Sequence, residues 1–345
     1  MNPNEALPPH AILTQMLWGK SLTTALSAMA KLGVAELMDG EPVTAEYLAE
    51  KTACHAPSLY RVMRMLASLG VFHELEGRRF TLTPVGACLR ADSPNSLRAL
   101  AIMSGDSWQM RGYEYMLHSI RTGHDAITAA YGKSAFDLLP EIPEQAENFH
   151  RCMTAYSRME VAALDPVMDF SGFHRMADVA GGHGMLLSHI LRKHPHLHGV
   201  LFDLPGVISG AVDAGHFDNC ADRVTYDSGS MFERVPHQCD AYIMKHIVHD
   251  WGDEHCHKIL RLICEQLAIH APDTGRLFLV EMLIPHGPEP SPAKMLDIEM
   301  LVMTIGGKER TVPEFSALFE DAGMELVGVK TTDSPVALIE ARVAR

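Results

Sequence analysis

The densest acid-base chemistry in the chain falls in Met244-Lys245-His246-Ile247-Val248-His249-Asp250-Trp251-Gly252-Asp253-Glu254. An imidazole titrates near neutrality, so it can take a proton from a weakly acidic group before or during its attack. His249 is the candidate general base, with Asp250 beside it and His246 as a bystander. Two acids further along could orient that ring and stabilise its charge, as the third member of a catalytic triad does. One is Glu281, which closes Phe278-Leu279-Val280-Glu281; the other is Glu309, in Gly306-Gly307-Lys308-Glu309-Arg310-Thr311. The alternative for Glu309 is a solvated loop charge, whereas an acid ending an apolar strand needs a partner.

A second set of residues has the spacing of a nucleoside site. Asp178-Val179-Ala180-Gly181-Gly182-His183-Gly184 follows an expected strand and opens a helix near Met185. Gly181 and Gly182 would let backbone approach a ligand closely, because a Cβ would collide. Some 20 residues on, Phe202-Asp203-Leu204-Pro205 puts Asp203 where an acid can accept from both ribose hydroxyls. The pair does not separate a dinucleotide from S-adenosylmethionine. Leu187 stands where a dinucleotide fingerprint wants a third small residue, so the loop leans towards a ligand without a pyrophosphate. Asp227-Ser228-Gly229-Ser230-Met231-Phe232 follows the next strand, where an adenine would lie and Met231 could cover its face. The competing reading is an ordinary turn with a buried methionine.

These residues need a scaffold that brings strand ends together. After Phe170 the sequence alternates strand and helix patterns, as in an α/β domain. Seven strands are expected: Met176 to Ala180, His198 to Asp203, Arg223 to Tyr226, Ala241 to Met244, Arg276 to Glu281, Leu326 to Lys330 and Val336 to Glu340. In open α/β sheets, ligands collect at the carboxyl ends of the strands, which is where His249, Glu281 and Asp203 fall. Before that domain, Leu13 to Leu37 shows apolar residues at helical spacing, with Gly33 as a stop. Thr44 reads as an N-cap, Pro57 as the start of another helix, and Gly70 to Thr83 as two short strands around a tight turn. Helices followed by a hairpin make a winged-helix pattern. The intervening stretch is helical, and Phe149, Met153, Tyr156 and Met159 share one helix face. That face is either a core stripe or a wall suited to a flat ligand. The organisation expected is a winged-helix-like dimerisation domain over 1–105, a helical linker and substrate segment over 106–170, and a Rossmann-like catalytic domain over 171–345.

Composition removes other classes. A formal net charge of -14 opposes nucleic-acid binding, and Arg78-Arg79 is the only adjacent basic pair in the winged-helix segment. The seven scattered cysteines form no Cys-x-x-Cys pair and read as reduced thiols of a cytoplasmic protein. Met1 to Glu5 lacks the basic and apolar regions of a signal peptide, and no stretch spans a bilayer. With 20 histidines, one near any site is expected by chance. His194-Pro195-His196-Leu197-His198 reads as a solvated turn at the wrong end of the sheet, and His255-Cys256 lacks a full ligand set, so no metal is expected.

Taken together, Asp178 to Gly184, Phe202 to Pro205, Lys245 to Glu254 and Gly306 to Thr311 resemble the caffeate and hydroxyindole O-methyltransferase family, including its bacterial natural-product members. The likeness runs from the N-terminal winged helix to the last strand. It implies S-adenosylmethionine-dependent methylation of a small aromatic, phenolic substrate by a homodimer, with His249 as base flanked by Glu281, Glu309 and Asp250. It further implies cofactor contacts by Ser157, Gly181, Gly182, Asp203, Leu204, Ser230, Met231 and Lys245. Substrate-facing positions would be Phe149, Met153, Tyr156, Met300, Met303 and Thr304, with residues near Trp18 reaching the partner's pocket. Ser230 departs from the acid often found before that methionine, and Tyr156 and Thr304 depart from plant members. The alternatives are N- or C-methylation, or a non-methylating reaction, on the same fold, and a winged-helix regulator that senses a ligand.

Overall fold

All seven expected strand segments fall in one sheet of the structure, a computed structural model that describes residues 7–345. The N-terminal stretch read for a signal peptide lies outside the described residues. The chain divides into two units: Met1–Arg111 with Asp137–Tyr156, and Gly112–Phe136 with Ser157–Arg345.

In the first unit, Val43–Thr44 (β1), Phe72–Leu75 (β2) and Arg79–Leu82 (β3) form an antiparallel sheet in the order β1-β3-β2. The β2-β3 hairpin is the expected one; β1 has no sequence signal, because two residues cannot show a period. Helices Gly19–Leu32, Ala45–Lys51 and Ala56–Ser68 pack on this wing around Met29, Leu48, Met63, Leu66, Phe72 and Phe80. Gly33 ends the first of these helices at φ 64°, and the Thr44 hydroxyl accepts from Tyr47 N at 3.1 Å, in line with the sequence. Helix Pro9–Leu17 buries no side chain, and Leu13, Met16, Leu17 and Trp18 are exposed.

The second unit holds the strands Arg175–Val179 (β4), His198–Asp203 (β5), Val224–Ser228 (β6), Ala241–Lys245 (β7), Arg276–Met282 (β8), Met324–Thr331 (β9) and Val336–Val343 (β10). Their order is β6-β5-β4-β7-β8-β10-β9. β10 runs antiparallel to both neighbours, and the remaining pairs are parallel. This is the Rossmann-like sheet expected of the C-terminal domain. The middle strands are buried on both faces, which explains their unbroken apolar runs such as Ala241-Tyr242-Ile243-Met244. One apolar cluster on the sheet includes Tyr242, Ile259, Ile263 and Phe319, and another Leu187, Ile190, Phe170 and Phe278. The strand order reverses between the paired neighbours β4 and β7, so the chain leaves their carboxyl ends in opposite directions, the place where such sheets open a crevice. No helix among the described residues is long and apolar enough to cross a membrane.

The histidine-rich turn needs a correction. His196 and His198 are exposed as expected, but His194 is buried, edge-on to the Phe170 ring at 5.7 Å between centroids. An imidazole carries enough apolar surface to serve as core, and sequence alone does not distinguish it from its neighbours.

Candidate active site

Everything that could bind or react in the second unit gathers where β4, β5, β7 and β8 end. After β4, Ala180 adopts φ 57° and Gly182 φ 59°, so the chain doubles back before the helix Met185–Lys193. The glycines divide their work differently from the sequence expectation. A Cβ on Gly181 would lie 2.6 Å from both the Asp178 carboxyl carbon and Leu201, and one on Gly184 would lie 2.4 Å from the Phe217 ring. Those two are glycine because protein crowds them. Only Gly182 of the three has open space where a Cβ would go, with nothing within 4 Å.

Asp203 ties the loop down. Its Oδ2 accepts from Gly182 N at 2.9 Å and its Oδ1 from Leu204 N at 2.7 Å, while each oxygen keeps lone pairs for further donors. Burial pushes its carboxyl up, with the two backbone donors opposing. Behind it, Asp178 is buried with Oδ2 unpartnered, and burial pushes it up to about 7. Beyond β6, the Ser230 hydroxyl accepts from Phe232 N at 3.3 Å, and Met231 is half-buried against the apolar cluster. Asp227, unassigned from sequence, takes the Arg234 guanidinium at 2.6 and 2.9 Å, and Arg234 lies over the Phe202 ring.

The candidate base follows β7. His246 takes a left-handed φ of 53°, and one short turn over Val248–Asp250 then carries His249 inward. Glu281, from the end of β8, fixes this turn: its Oε1 accepts from Ile247 N at 3.1 Å and Val248 N at 2.9 Å. Its other oxygen, Oε2, lies 3.7 Å from Nδ1 of both His246 and His249. His249 Nδ1 donates to Glu309 Oε1 at 2.7 Å, and Asp250 stands 3.6 Å from Nε2. Glu309 is buried and not a solvated loop charge. Burial disfavours a charged His249, but Glu281, Asp250 and Glu309 outweigh it and push the imidazole up to about 9. Burial raises Asp250 to about 6, whereas the two histidines and the Val248 N–H hold Glu281 low against the same burial. Ligand atoms of His246, His249 and Glu281 stand within 4.8 Å of one another, and His249 Nδ1, 3.7 Å from Glu281, already bonds Glu309.

The loop carrying Glu309 is locked to the His249 turn by contacts that the sequence does not announce. Lys308 N donates to the His249 carbonyl at 2.9 Å, and Glu309 N donates to Asp297 at 2.9 Å. Arg310 is fully buried and donates to the carbonyls of Val248 and Trp251 and to Asp253. Lys245 and His246 both bond Glu160, at 3.0 and 2.7 Å, from the helix Pro143–Leu164. No local motif marks Glu160 in the sequence; only the fold brings it here.

The other named positions lie as follows. Met300 and Met303 are buried on the helix Pro292–Met303, and Thr304 donates its hydroxyl to the Met300 carbonyl at 2.8 Å. Tyr113 donates to Glu299 one residue before Met300, a partly buried polar pair that no sequence motif marks. Phe149 and Tyr156 are half-buried and Met153 is 37% exposed on their helix, so that face is not a closed core stripe. Ser157 is half-buried and Leu204 exposed.

Comparison with known proteins accounts for this arrangement. Residues 113–325 match the O-methyltransferase domain and residues 14–92 the O-methyltransferase dimerisation domain. The chain belongs to the O-methyltransferase family. It is similar to the phenazine O-methyltransferase of Lysobacter antibioticus, with 39% identity covering 98% of this chain and 97% of that protein. It is also similar to the mitomycin biosynthesis 6-O-methyltransferase of Streptomyces lavendulae, with 34% identity covering 99% and 98%. Among solved structures it resembles an O-methyltransferase from neocarzinostatin biosynthesis in complex with S-adenosylmethionine and 2-hydroxy-5-methyl naphthoic acid. That likeness has a TM-score of 0.79 and 28% identity, covering 94% of this chain and 96% of that one. The protein is therefore an S-adenosylmethionine-dependent methyltransferase with an attached dimerisation domain. The open face of Gly182 and the acceptor Asp203 fit a nucleoside ligand.

Proposed function

We propose that this enzyme methylates a phenolic hydroxyl of a small aromatic, natural-product-like substrate, with His249 as general base. The observation that carries the reading is the 2.7 Å hydrogen bond from His249 Nδ1 to Glu309, which leaves Nε2, 3.6 Å from Asp250, as the nitrogen that takes a substrate proton when the ring is neutral. Bound, S-adenosylmethionine supplies an electrophilic methyl group on a sulfonium. Ser157, Gly181, Gly182, Asp203, Leu204, Ser230, Met231 and Lys245 hold it, with Asp203 on the ribose. Ser230 is a weaker adenine partner than a carboxylate, because a neutral hydroxyl accepts a hydrogen bond less strongly than an ionised acid.

An imidazole near 9 suits a phenol. Ordinary phenols lose their proton near pH 10, so transfer to His249 is uphill by only about 1–2 kcal/mol. Glu309 and Glu281 then stabilise the imidazolium. Holding the acceptor oxygen in line for displacement contributes most of the acceleration, potentially about 7–11 kcal/mol, and the base adds ~10²–10⁴-fold. Phe149, Met153, Tyr156, Met300, Met303 and Thr304 bound the substrate. The enzyme works as a cytoplasmic homodimer through the exposed Leu13, Met16, Leu17 and Trp18. Its functional divisions are 1–105 for dimerisation, 106–170 for substrate binding and 171–345 for catalysis.

Incubation with S-adenosylmethionine and a panel of phenols, arylamines and carbon nucleophiles tests this. The expected products are S-adenosylhomocysteine and an aryl methyl ether located by NMR. Methyl groups found only on nitrogen or carbon would replace the O-methylation reading. Methylation of no acceptor together with salt-sensitive duplex binding in a gel shift would favour a regulator.

A further inference from the structure

His246, a bystander by its sequence position, sits between two carboxylates. Its Nε2 lies 2.7 Å from Glu160 Oε1 and its Nδ1 lies 3.7 Å from Glu281 Oε2. A neutral imidazole donates from one nitrogen only; the contact to Glu160 takes that donor, and Nδ1, which makes no hydrogen bond, faces Glu281 at ion-pair distance, where a second proton would meet an anion. The backbone shows that the placement is enforced, because a left-handed φ of 53° is costly for a residue with a side chain and persists only where its surroundings fix it. Its ring lies 4.9 Å from that of His249, tilted by 30°.

The acids facing this ring and its neighbour outnumber the one lysine beside them. Glu160, Glu281 and Glu309 stand against Lys245, His246 and His249. Asp250 also faces both imidazoles, and burial raises its carboxyl, to about 6, as it raises that of Glu309. Glu160 stays ionised to about 2, because His246 and Lys245 outweigh its burial. His246 is itself held above its ordinary value, its carboxylate neighbours overcoming burial and Lys245.

We propose that His246, kept as an imidazolium between Glu160 and Glu281, is a positioning residue that sets the basicity of His249. By engaging Glu281 from one side, its charge limits how strongly Glu281 can hold a proton on His249, so the base releases that proton at a lower pH. Glu160 is the anchor that keeps His246 charged, and through Lys245 it links the base to the cofactor side of the sheet. The proposal rests on the reading of His249 as base.

The test follows imidazole Cε1–H resonances by NMR in the full-length, cofactor-free protein, beside the pH dependence of kcat/KM for a phenol. In the wild type, the His246 signal stays in its protonated position from pH 6 to 8. In His246→Gln and in Glu160→Gln, the His249 titration moves up by about one pH unit, and the rising limb of the rate profile follows it, about tenfold slower near neutrality. A wild-type His246 that titrates below pH 6 overturns the proposal without any variant. So does an unshifted or acid-shifted His249 in folded His246→Gln or Glu160→Gln. The base reading fails separately, if His249→Ala keeps wild-type turnover whatever His246 does.

Discussion

Gly307 places a demand on the site that can be worked through in ångströms. A Cβ built there would lie 2.1 Å from Thr304 Oγ1, 2.5 Å from the His249 carbonyl oxygen and 2.8 Å from the Asp250 carbonyl carbon. The threonine hydroxyl can rotate away if it gives up its bond to Met300 O, but the other two atoms are backbone of the turn that carries the base. That turn is also tied to the same loop by Lys308 N. Restoring ordinary contact requires the His249 carbonyl to retreat by roughly 0.5–1 Å, and displacements of that size in a reacting geometry cost up to about 10²-fold in rate. Overpacking adds about 1–3 kcal/mol of instability. Gly307→Ala is thus expected to lower kcat by ~10²-fold at saturating cofactor, while S-adenosylhomocysteine binding by calorimetry stays within about twofold. The double variant Thr304→Ala with Gly307→Ala recovers little, because the backbone contacts remain. A kcat within threefold of wild type in Gly307→Ala would refute the claim that this loop fixes the base.

Asp203→Asn leaves one side-chain oxygen for two backbone donors and removes the ribose acceptor. Its S-adenosylhomocysteine affinity is expected to fall by ~10–100-fold, from the loss of about 1.5–3 kcal/mol, measured by calorimetry; an unchanged Kd would contradict the assignment. Stability should depend on pH at both ends. The folded value of His249, about 9, exceeds its ordinary 6.5, so its contribution is complete below 6.5 and is lost as pH rises through 9. For Glu160 the folded value of about 2 lies below 4.5, so its contribution is present above 4.5 and lost as pH falls through 2. Thermal midpoints across pH should show the alkaline decline in wild type and a flatter one in His249→Gln; equal slopes would contradict it.

Strand ends are legible in the sequence because apolar runs, turn residues and terminal acids mark them locally, and these signals alone put Asp203, His249 and Glu281 at one sheet edge. Glu309 is nameable there only as a loop acid with two possible fates, since its burial depends on Arg310 and Asp297 pinning the loop. Glu160 is invisible for a different reason. It lies 85 residues before Lys245, on a helix whose clearest signal is its apolar face, and nothing in a carboxylate's neighbours announces a partner that distant. The role proposed for His246 rests on its distances to Glu160 and Glu281 and on a left-handed backbone angle, none of which a periodicity encodes. The need for glycine at 181 is legible, but its cause is not, because sequence does not say whether ligand or side chain crowds a glycine.

The central claim is that His249 removes the acceptor's proton. Single-turnover methyl transfer to a phenol, followed by mass spectrometry from pH 6 to 10 in wild type and His249→Ala, tests it most directly. The account predicts a wild-type rate rising about tenfold per pH unit until it levels near 9. At neutral pH the variant should lose at least ~10²-fold, and its residual rate should climb only with the phenol's own ionisation, without levelling near 9, with S-adenosylhomocysteine still bound. A variant that matches the wild-type rate and profile would contradict it.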